Sequence, residues 1–85
     1  MNDVELDLRG LKCPLPVLRT RKVLARLAPG VEVRVVATDP MSAIDIPHMC
    51  QEDGHTLVAS DRPDDRTLRF HIRRGEGSAE PAGES

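Results

Sequence analysis

The chain has 85 residues, a formal net charge of −2 and one aromatic side chain. A chain this short forms one domain with a modest core, which disfavours an enzyme that must enclose its substrate. The negative charge and the absence of a basic tract disfavour direct nucleic-acid binding. There is no membrane-length apolar run and no signal-peptide pattern. We therefore expect a cytoplasmic protein without membrane partners.

The first predicted element is a strand, because apolar and charged residues alternate over residues 4–9. A glycine ends it. A helical pattern follows over residues 14–28, with Pro14 and Pro16 in its first turn, where a missing amide donor costs little. This pattern predicts that Cys13 is the N-cap of the first helix.

The middle of the chain predicts a second strand and a second helix. Residues 31–37 alternate again between the two faces of a strand. Asp39, followed by a proline, is typical of an N-cap, and Gly54 is typical of a helix end. Pro47 is expected either to kink this helix or to restart it, with Asp45 available as a second cap.

The last elements are two strands over residues 55–60 and 66–73, joined by a hairpin loop over residues 61–65. From residue 75 onward the chain contains only Gly, Ser, Glu, Pro and Ala, a composition that buries no core. We therefore predict one domain over residues 1–74 and a disordered polar tail over residues 75–85.

The order β-α-β-α-β-β predicts an α/β two-layer sandwich, with a four-stranded mixed sheet and both helices on one face. The other sheet face is expected to be charged and open to water. Its predicted residues are Glu5, Asp7, Arg9, Glu32, Arg34, Arg69, His71 and Arg73.

The principal candidate for chemistry is Cys13. A helix N-terminus stabilises a thiolate, and Lys12 and Arg9 add positive charge, so the pattern predicts a lowered thiol pKa. Pro16 occupies the place of the second cysteine in a Cys-x-x-Cys motif, so Cys13 has no neighbour with which to form a redox disulfide. It can instead hold a sulfur atom and pass it on. The alternative is a small buried hydrophobic residue.

Helical geometry divides the first helix into a core face and an outer face. The predicted core residues are Val17, Thr20, Leu24, Leu27 and Ala28. The predicted outer residues are Leu15, Leu18, Arg19, Lys22 and Arg26. Two leucines on a basic background indicate a docking surface for an acidic partner, although isolated exposed leucines are also common.

Cys50, Met41 and Met49 are assigned to the core. Cys50 falls on an apolar helical face with Ile46 and Met49, and Met41 and Met49 are expected to fill core space, although a methionine at a rim can also serve an adaptable interface. The Cys and His spacings match no metal-binding motif. The sequence thus implies neither a metal nor a cofactor.

Several segments together resemble the TusA/SirA-like family of sulfur carrier proteins. The run over residues 6–16, Leu-Asp-Leu-Arg-Gly-Leu-Lys-Cys-Pro-Leu-Pro, resembles the family's opening strand and loop. Further landmarks are Pro29-Gly30, Thr38-Asp39-Pro40, Asp45-Ile46-Pro47, Cys50 and Gly54-His55. The resemblance covers about residues 4–73 and implies the same β-α-β-α-β-β fold.

The resemblance also implies a function. Cys13 would carry a persulfide and relay sulfur from a cysteine desulfurase or rhodanese-type donor to an acceptor protein, for tRNA 2-thiouridine modification. Leu18, Arg21 and Asp39 match positions where the family meets its partners. From their places beside the cysteine, Lys12 and Leu15 are also expected to contact partners, and we expect a monomer.

One departure from the family pattern keeps other routes open. Leu15 stands where members acting in tRNA thiolation commonly have glutamate, and leucine is found in sulfur-oxidation branches. The alternatives are therefore a sulfur-transfer protein of a sulfur-oxidation or molybdenum-cofactor route, or a thiol-based redox or regulatory module.

Overall fold

The computed structural model describes residues 4–75. It contains β1 (Val4–Leu8), α1 (Leu15–Ala25), β2 (Glu32–Ala37), α2 (Ser42–Asp53), β3 (Thr56–Asp64) and β4 (Thr67–Arg73). This order confirms the predicted succession of strands and helices. The predicted tail beyond Gly75 lies outside the described residues.

The four strands form one mixed sheet in the order β1-β2-β4-β3. β1 and β2 are parallel, joined by α1 as a crossover, and the other two pairings are antiparallel. Val35 lies opposite Leu6 on one side and Phe70 on the other. Inward apolar side chains therefore form rows across the sheet beneath the helices, which confirms the predicted fold class.

Both helices pack against this apolar side of the sheet. Leu24 of α1 and Ile46 of α2 are fully buried, and Cys50 is 2% exposed in the same cluster. The prediction that Cys50 belongs to the core is confirmed, as is that for Met49. The N-terminal turn of α1 adds Pro16, a buried residue that the helical-face analysis did not include.

The opposite face of the sheet carries the predicted charged residues, which are exposed or half-buried. Its side chains form ion pairs across strands. His71 Nε2 lies 2.6 Å from a Glu32 carboxylate oxygen, and the Arg69 guanidinium lies 2.6 Å from Asp61. Both signs of charge are present, so this face carries no extended field of one sign.

The first helix is shorter than predicted. It ends at Ala25. The amides of Arg26 and Leu27 donate to carbonyls three residues earlier, and the buried Arg74 guanidinium donates to the Leu24 carbonyl. Ala28, predicted on the core face, is therefore beyond the helix and exposed. The Arg74 contact spans 50 residues, so local helical periodicity could not reveal it.

The second helix also begins and continues differently from the prediction. Asp39 accepts a hydrogen bond from the Met41 amide, but the helix starts only at Ser42, so Asp39 caps the preceding turn. Met41 lies in that turn and is 45% exposed, which makes its core assignment wrong. α2 runs through Pro47 without restarting, so Asp45 is not a cap.

The predicted hairpin loop over residues 61–65 is largely strand. β3 extends to Asp64 with two register shifts against β4. Because β3 is an edge strand, Pro63 is tolerated there without loss of a central ladder bond. The composition indicated a loop, but pairing with β4 kept most of the segment extended.

The end of β4 is fixed to α2 and the start of β3. The Gly75 amide donates to His55 Nδ1 at 2.9 Å, and a side chain at Gly75 would collide with the Gly54 carbonyl. Gly75, which we assigned to the tail, is thus half-buried in the fold. Burial lowers the pKa of His55 below its ordinary value of 6.5.

This contact predicts how stability depends on pH. Because the folded-state pKa of His55 is depressed, the unfolded chain binds more protons below pH 6.5. The free energy of unfolding should therefore decrease as the pH falls from 6.5 towards the depressed pKa. His55→Asn keeps an acceptor near the position of Nδ1 but has no titrating group there. The free energy of unfolding of this variant should therefore decrease less over the same pH range. Urea denaturation from about pH 5 to about pH 8 measures this; equal slopes would contradict it.

Candidate functional site

Cys13 lies in the loop between β1 and α1, and it is exposed. Hydrogen bonds within the loop and to a distant residue fix the backbone on either side of Cys13. The Leu15 amide donates to the Lys12 carbonyl, and the Gly10 amide donates to Thr38 Oγ1 at 2.8 Å. Gly10 has a φ of 86°, a conformation that glycine adopts without a Cβ penalty. The cysteine is therefore presented on an anchored loop, and the buried-hydrophobe alternative is wrong.

Two carboxylates from the start of the second helical region contact Cys13. The Cys13 amide donates to Asp39 Oδ2, and the Cys13 thiol lies 3.4 Å from Asp45 Oδ2. Both groups are far away in the sequence, 26 and 32 residues from the cysteine. The fold thus places two negatively charged hydrogen-bond acceptors at this cysteine, Asp39 on its amide and Asp45 on its thiol.

These carboxylates overturn the predicted electrostatics of the thiol. The hydrogen bond to Asp45 raises the pKa of Cys13, and desolvation and the negative charges of Asp45 and Asp39 act in the same direction. Arg9, expected to stabilise the thiolate, is bound to Asp7 at 2.9 Å. The prediction of a lowered pKa is therefore wrong, and the contact with Asp45 favours the thiol over the thiolate.

The predicted N-cap position is also wrong. α1 begins at Leu15, with Pro14 as the residue that precedes it, so Cys13 lies one residue outside the cap. Pro16 consequently takes the second helical position and not the third. Because the influence of a helix dipole is strongest in its first turn, the carboxylates outweigh it at Cys13.

The sulfur lies in a shallow surface depression that has no interior space large enough for a water molecule. It is lined by Cys13, Pro14, Pro16, Val17, Asp39, Ser42 and Asp45. A small-molecule pocket would offer roughly 300–1,000 Å³. The depression therefore encloses no small substrate, and an atom carried on the cysteine would be accessible to a macromolecular partner.

Exposed apolar side chains lie on both helical regions that form the depression. Leu15 is 43% exposed and Leu18 is 50% exposed, which confirms their predicted outward positions. Met41 is 45% exposed, in keeping with the alternative of a rim position, and Ile44, at 64%, was not identified from the sequence. We call these four residues the apolar rim. Ile44 is about 200° from the buried Ile46 around α2, so a helical projection of that segment could have identified it.

The remaining predicted partner residues occupy different surroundings. Lys12 is exposed beside Cys13. Arg21 Nε lies 2.6 Å from Asp53, so this side chain joins α1 to α2. Asp39 is half-buried and already accepts from two amides. Contact of these three residues with a partner stays a prediction.

Within residues 4–75, no group of three or more His, Cys, Asp or Glu side chains is arranged to hold a metal ion. Nor does any helix in this range have the length and apolar character needed to cross a membrane.

Comparison with known proteins identifies the family of the chain. The family described as sulfurtransferase TusA matches residues 4–74, nearly the whole described chain. The chain belongs to this family. As a TusA-family sulfur carrier, it is expected in general to have a sulfur donor and a sulfur acceptor as partners.

Relatives and a solved structure extend the comparison. Two Neisseria meningitidis proteins, from serogroups A and B, each named "Putative sulfur carrier protein", are 42% identical over 64 residues, covering 75% of this chain and 86% of theirs. The crystal structure of a SirA-like protein from Desulfitobacterium hafniense matches with a TM-score of 0.76 and 28% identity. That match covers 86% of this chain and 99% of the other, so the TusA-family fold is shared almost completely.

The geometry predicts selective and slow alkylation. Iodoacetamide should modify Cys13 alone in the folded protein, because Cys50 is buried and its pKa is raised to about 11. Because the pKa of the Cys13 thiol is raised, the rate should reach half its maximum at a higher pH than for free cysteine. Mass spectrometry of the quenched reaction measures both properties. A midpoint below that of free cysteine, or equal labelling of both residues, would contradict the assignment.

Proposed function

We propose that this protein carries sulfane sulfur as a persulfide on Cys13. It would receive the sulfur from a cysteine desulfurase or rhodanese-type donor and pass it to an acceptor protein, for tRNA 2-thiouridine modification in the cytoplasm. The observation that carries the proposal is the exposed, anchored thiol of Cys13 in a chain of the TusA family. The other cysteine is buried, so it offers no resolving thiol.

The proposed relay consists of two thiol exchanges. In the first, the Cys13 sulfur attacks the outer sulfur of the donor persulfide, the donor's S–S bond breaks, and the donor thiol is released. In the second, the acceptor thiol attacks the outer sulfur on Cys13, and the Cys13 thiol is released. Neither exchange changes the total number of thiols and persulfides, so no external oxidant or reductant is required.

The apolar rim supports docking of protein partners over the sulfur. Four large apolar side chains that are 43–64% exposed contribute the kind of surface that marks protein contacts. Lys22 and Arg19 lie on the outward side of α1, so an acidic partner surface would be complementary. Covering the depression would also exclude water from the exchange. We expect a monomer to be the form that docks.

The raised pKa of Cys13 disfavours the redox-sensor alternative. Sensor cysteines are low-pKa thiolates that peroxide attacks readily, whereas the contact with Asp45 favours the thiol over the thiolate here. One observation favours an acceptor outside tRNA thiolation. Leu15 is exposed beside Cys13 where members acting in tRNA thiolation commonly have glutamate, so a sulfur-oxidation or molybdenum-cofactor route is the second candidate.

The central test of the proposal is persulfide formation. Incubation of the purified chain with a cysteine desulfurase and cysteine should add about 32 Da per sulfur atom, and reductant should remove it. Intact-mass spectrometry detects the gain. Cys13→Ala should gain nothing. Cys50→Ala should load normally, since its side chain lies in the core. No gain in the wild type, or loading of Cys13→Ala, would refute Cys13 as the carrier.

The apolar rim makes a separate prediction about partner affinity. Ile44→Ser and Leu18→Ser should each raise the donor concentration needed for half-maximal loading about tenfold, or ~1.4 kcal/mol of binding. The matched control is Val58→Ser, which alters an apolar side chain that is 40% exposed on β3, outside the rim. Loading rates over a donor titration give the values. Equal effects of the three substitutions would show that the rim has no special role.

A further inference from the structure

Ser42 has a hydroxyl whose environment the fold does not explain. The residue is 1% exposed, and its Oγ has no hydrogen-bond partner among the residues that the structure describes. Buried hydroxyl groups are normally hydrogen-bonded. A buried hydroxyl without a partner has lost its hydrogen bonds to water and gained none from the protein, which costs free energy. Ser42 is one of the residues that line the depression containing Cys13, so this unpaired donor lies in the wall of the site that holds the thiol.

Asp45 is the charged group in contact with the thiol. Its Oδ2 lies 3.4 Å from Cys13 Sγ, a distance at which it accepts the hydrogen bond of the thiol. Ser42 is three residues earlier on α2, on the same side of the helix. The other charged groups near the thiol are Asp39, which binds the Cys13 amide, and Lys12 in the same loop. Asp45 is thus the acceptor already placed on the reacting atom.

We propose, on the premise that Cys13 carries sulfane sulfur, that Asp45 and Ser42 complete the site for this sulfur. Asp45 accepts the Cys13 thiol proton as the sulfur atom arrives and returns a proton when it departs. Ser42 donates a hydrogen bond from Oγ to the arriving sulfur. Asp45 is therefore a catalytic residue, and Ser42 is a binding residue for the carried atom.

In each exchange, Asp45 takes the proton from the attacking thiol and gives it to the leaving thiolate. During loading, the Cys13 proton moves to the Asp45 carboxylate while the new S–S bond forms and the donor's S–S bond breaks. The donor thiolate then takes this proton from Asp45 and leaves as a thiol. During unloading, the acceptor thiol gives its proton to Asp45, and Asp45 protonates the leaving Cys13 thiolate. Each exchange leaves Asp45 ionised and ready for the next.

A role in proton transfer can be separated from a purely electrostatic role with Asp45→Asn. Removing the negative charge should lower the thiol pKa and make alkylation by iodoacetamide faster at about pH 7, whichever role is correct. The two roles differ for loading by glutathione persulfide, a donor that needs no protein docking. Proton transfer predicts slower loading at about pH 7, by roughly 100-fold, even though alkylation of the same variant is faster. The control is Asp65→Asn in the exposed β3–β4 turn, which should leave both rates unchanged.

The outcomes distinguish this inference from the proposed function. Loading of the wild type with slower loading of Asp45→Asn supports the proton-transfer role. Faster loading of Asp45→Asn, in step with its faster alkylation, would overturn it and leave the carrier function intact. Failure of the wild type to load from either glutathione persulfide or a cysteine desulfurase would instead refute the carrier function itself.

The hydroxyl of Ser42 is tested on the loaded protein. Cyanide removes sulfane sulfur as thiocyanate, so its rate reports how well the outer sulfur is held. Ser42→Ala should lose sulfur several-fold faster than the wild type, because the hydrogen bond is absent. Ser42→Thr keeps the hydroxyl and should restore a slow rate, and Ser60→Ala on β3 is the matched control. Equal rates for the wild type and Ser42→Ala, with unchanged melting temperatures, would overturn the binding role.

Discussion

The parallel pairing of β1 with β2 is the constraint on which the site depends. It places Leu8 opposite Ala37, so the chain leaves both strands at the same edge of the sheet and the two following segments run side by side. Asp39 then joins them by accepting hydrogen bonds from the Cys13 and Met41 amides. Because α2 begins directly after this junction, Asp45 reaches the thiol. Loss of this pairing would separate the cysteine from every group that determines its reactivity.

The electrostatics of the thiol suit a carrier more than a sensor. A protonated thiol reacts slowly with oxidants, whereas a proton acceptor at 3.4 Å allows activation when a donor sulfur is present. The carboxylate that suppresses spontaneous reaction is thus the same group that can take the proton during exchange. On the proposed mechanism, the reactivity of Cys13 would depend on the presence of a partner that carries the donor sulfur.

The size of the domain explains why its chemistry lies at the surface. A core of aliphatic side chains, with Phe70 as the single aromatic residue, fills the space between one sheet and two helices. The thiol of Cys13 lies in a shallow depression at the surface, so on the proposed function a partner would have to exclude water from it. On the open face of the sheet, charged side chains form ion pairs with one another, as His71 does with Glu32.

The sequence by itself determined the order of elements, the inward rows of the sheet, the burial of Cys50 and the exposure of Leu18. Each depends on strand alternation or helical periodicity within about ten residues, and such local patterns are readable without a structure. Only the tertiary structure decided that Cys13 lies beyond the helix cap and that its pKa is raised. Asp39 and Asp45 are 26 and 32 residues away, and nothing local to Cys13 encodes their approach. The same reason applies to Arg74, which follows β4 in the chain and donates a hydrogen bond to the Leu24 carbonyl near the end of α1.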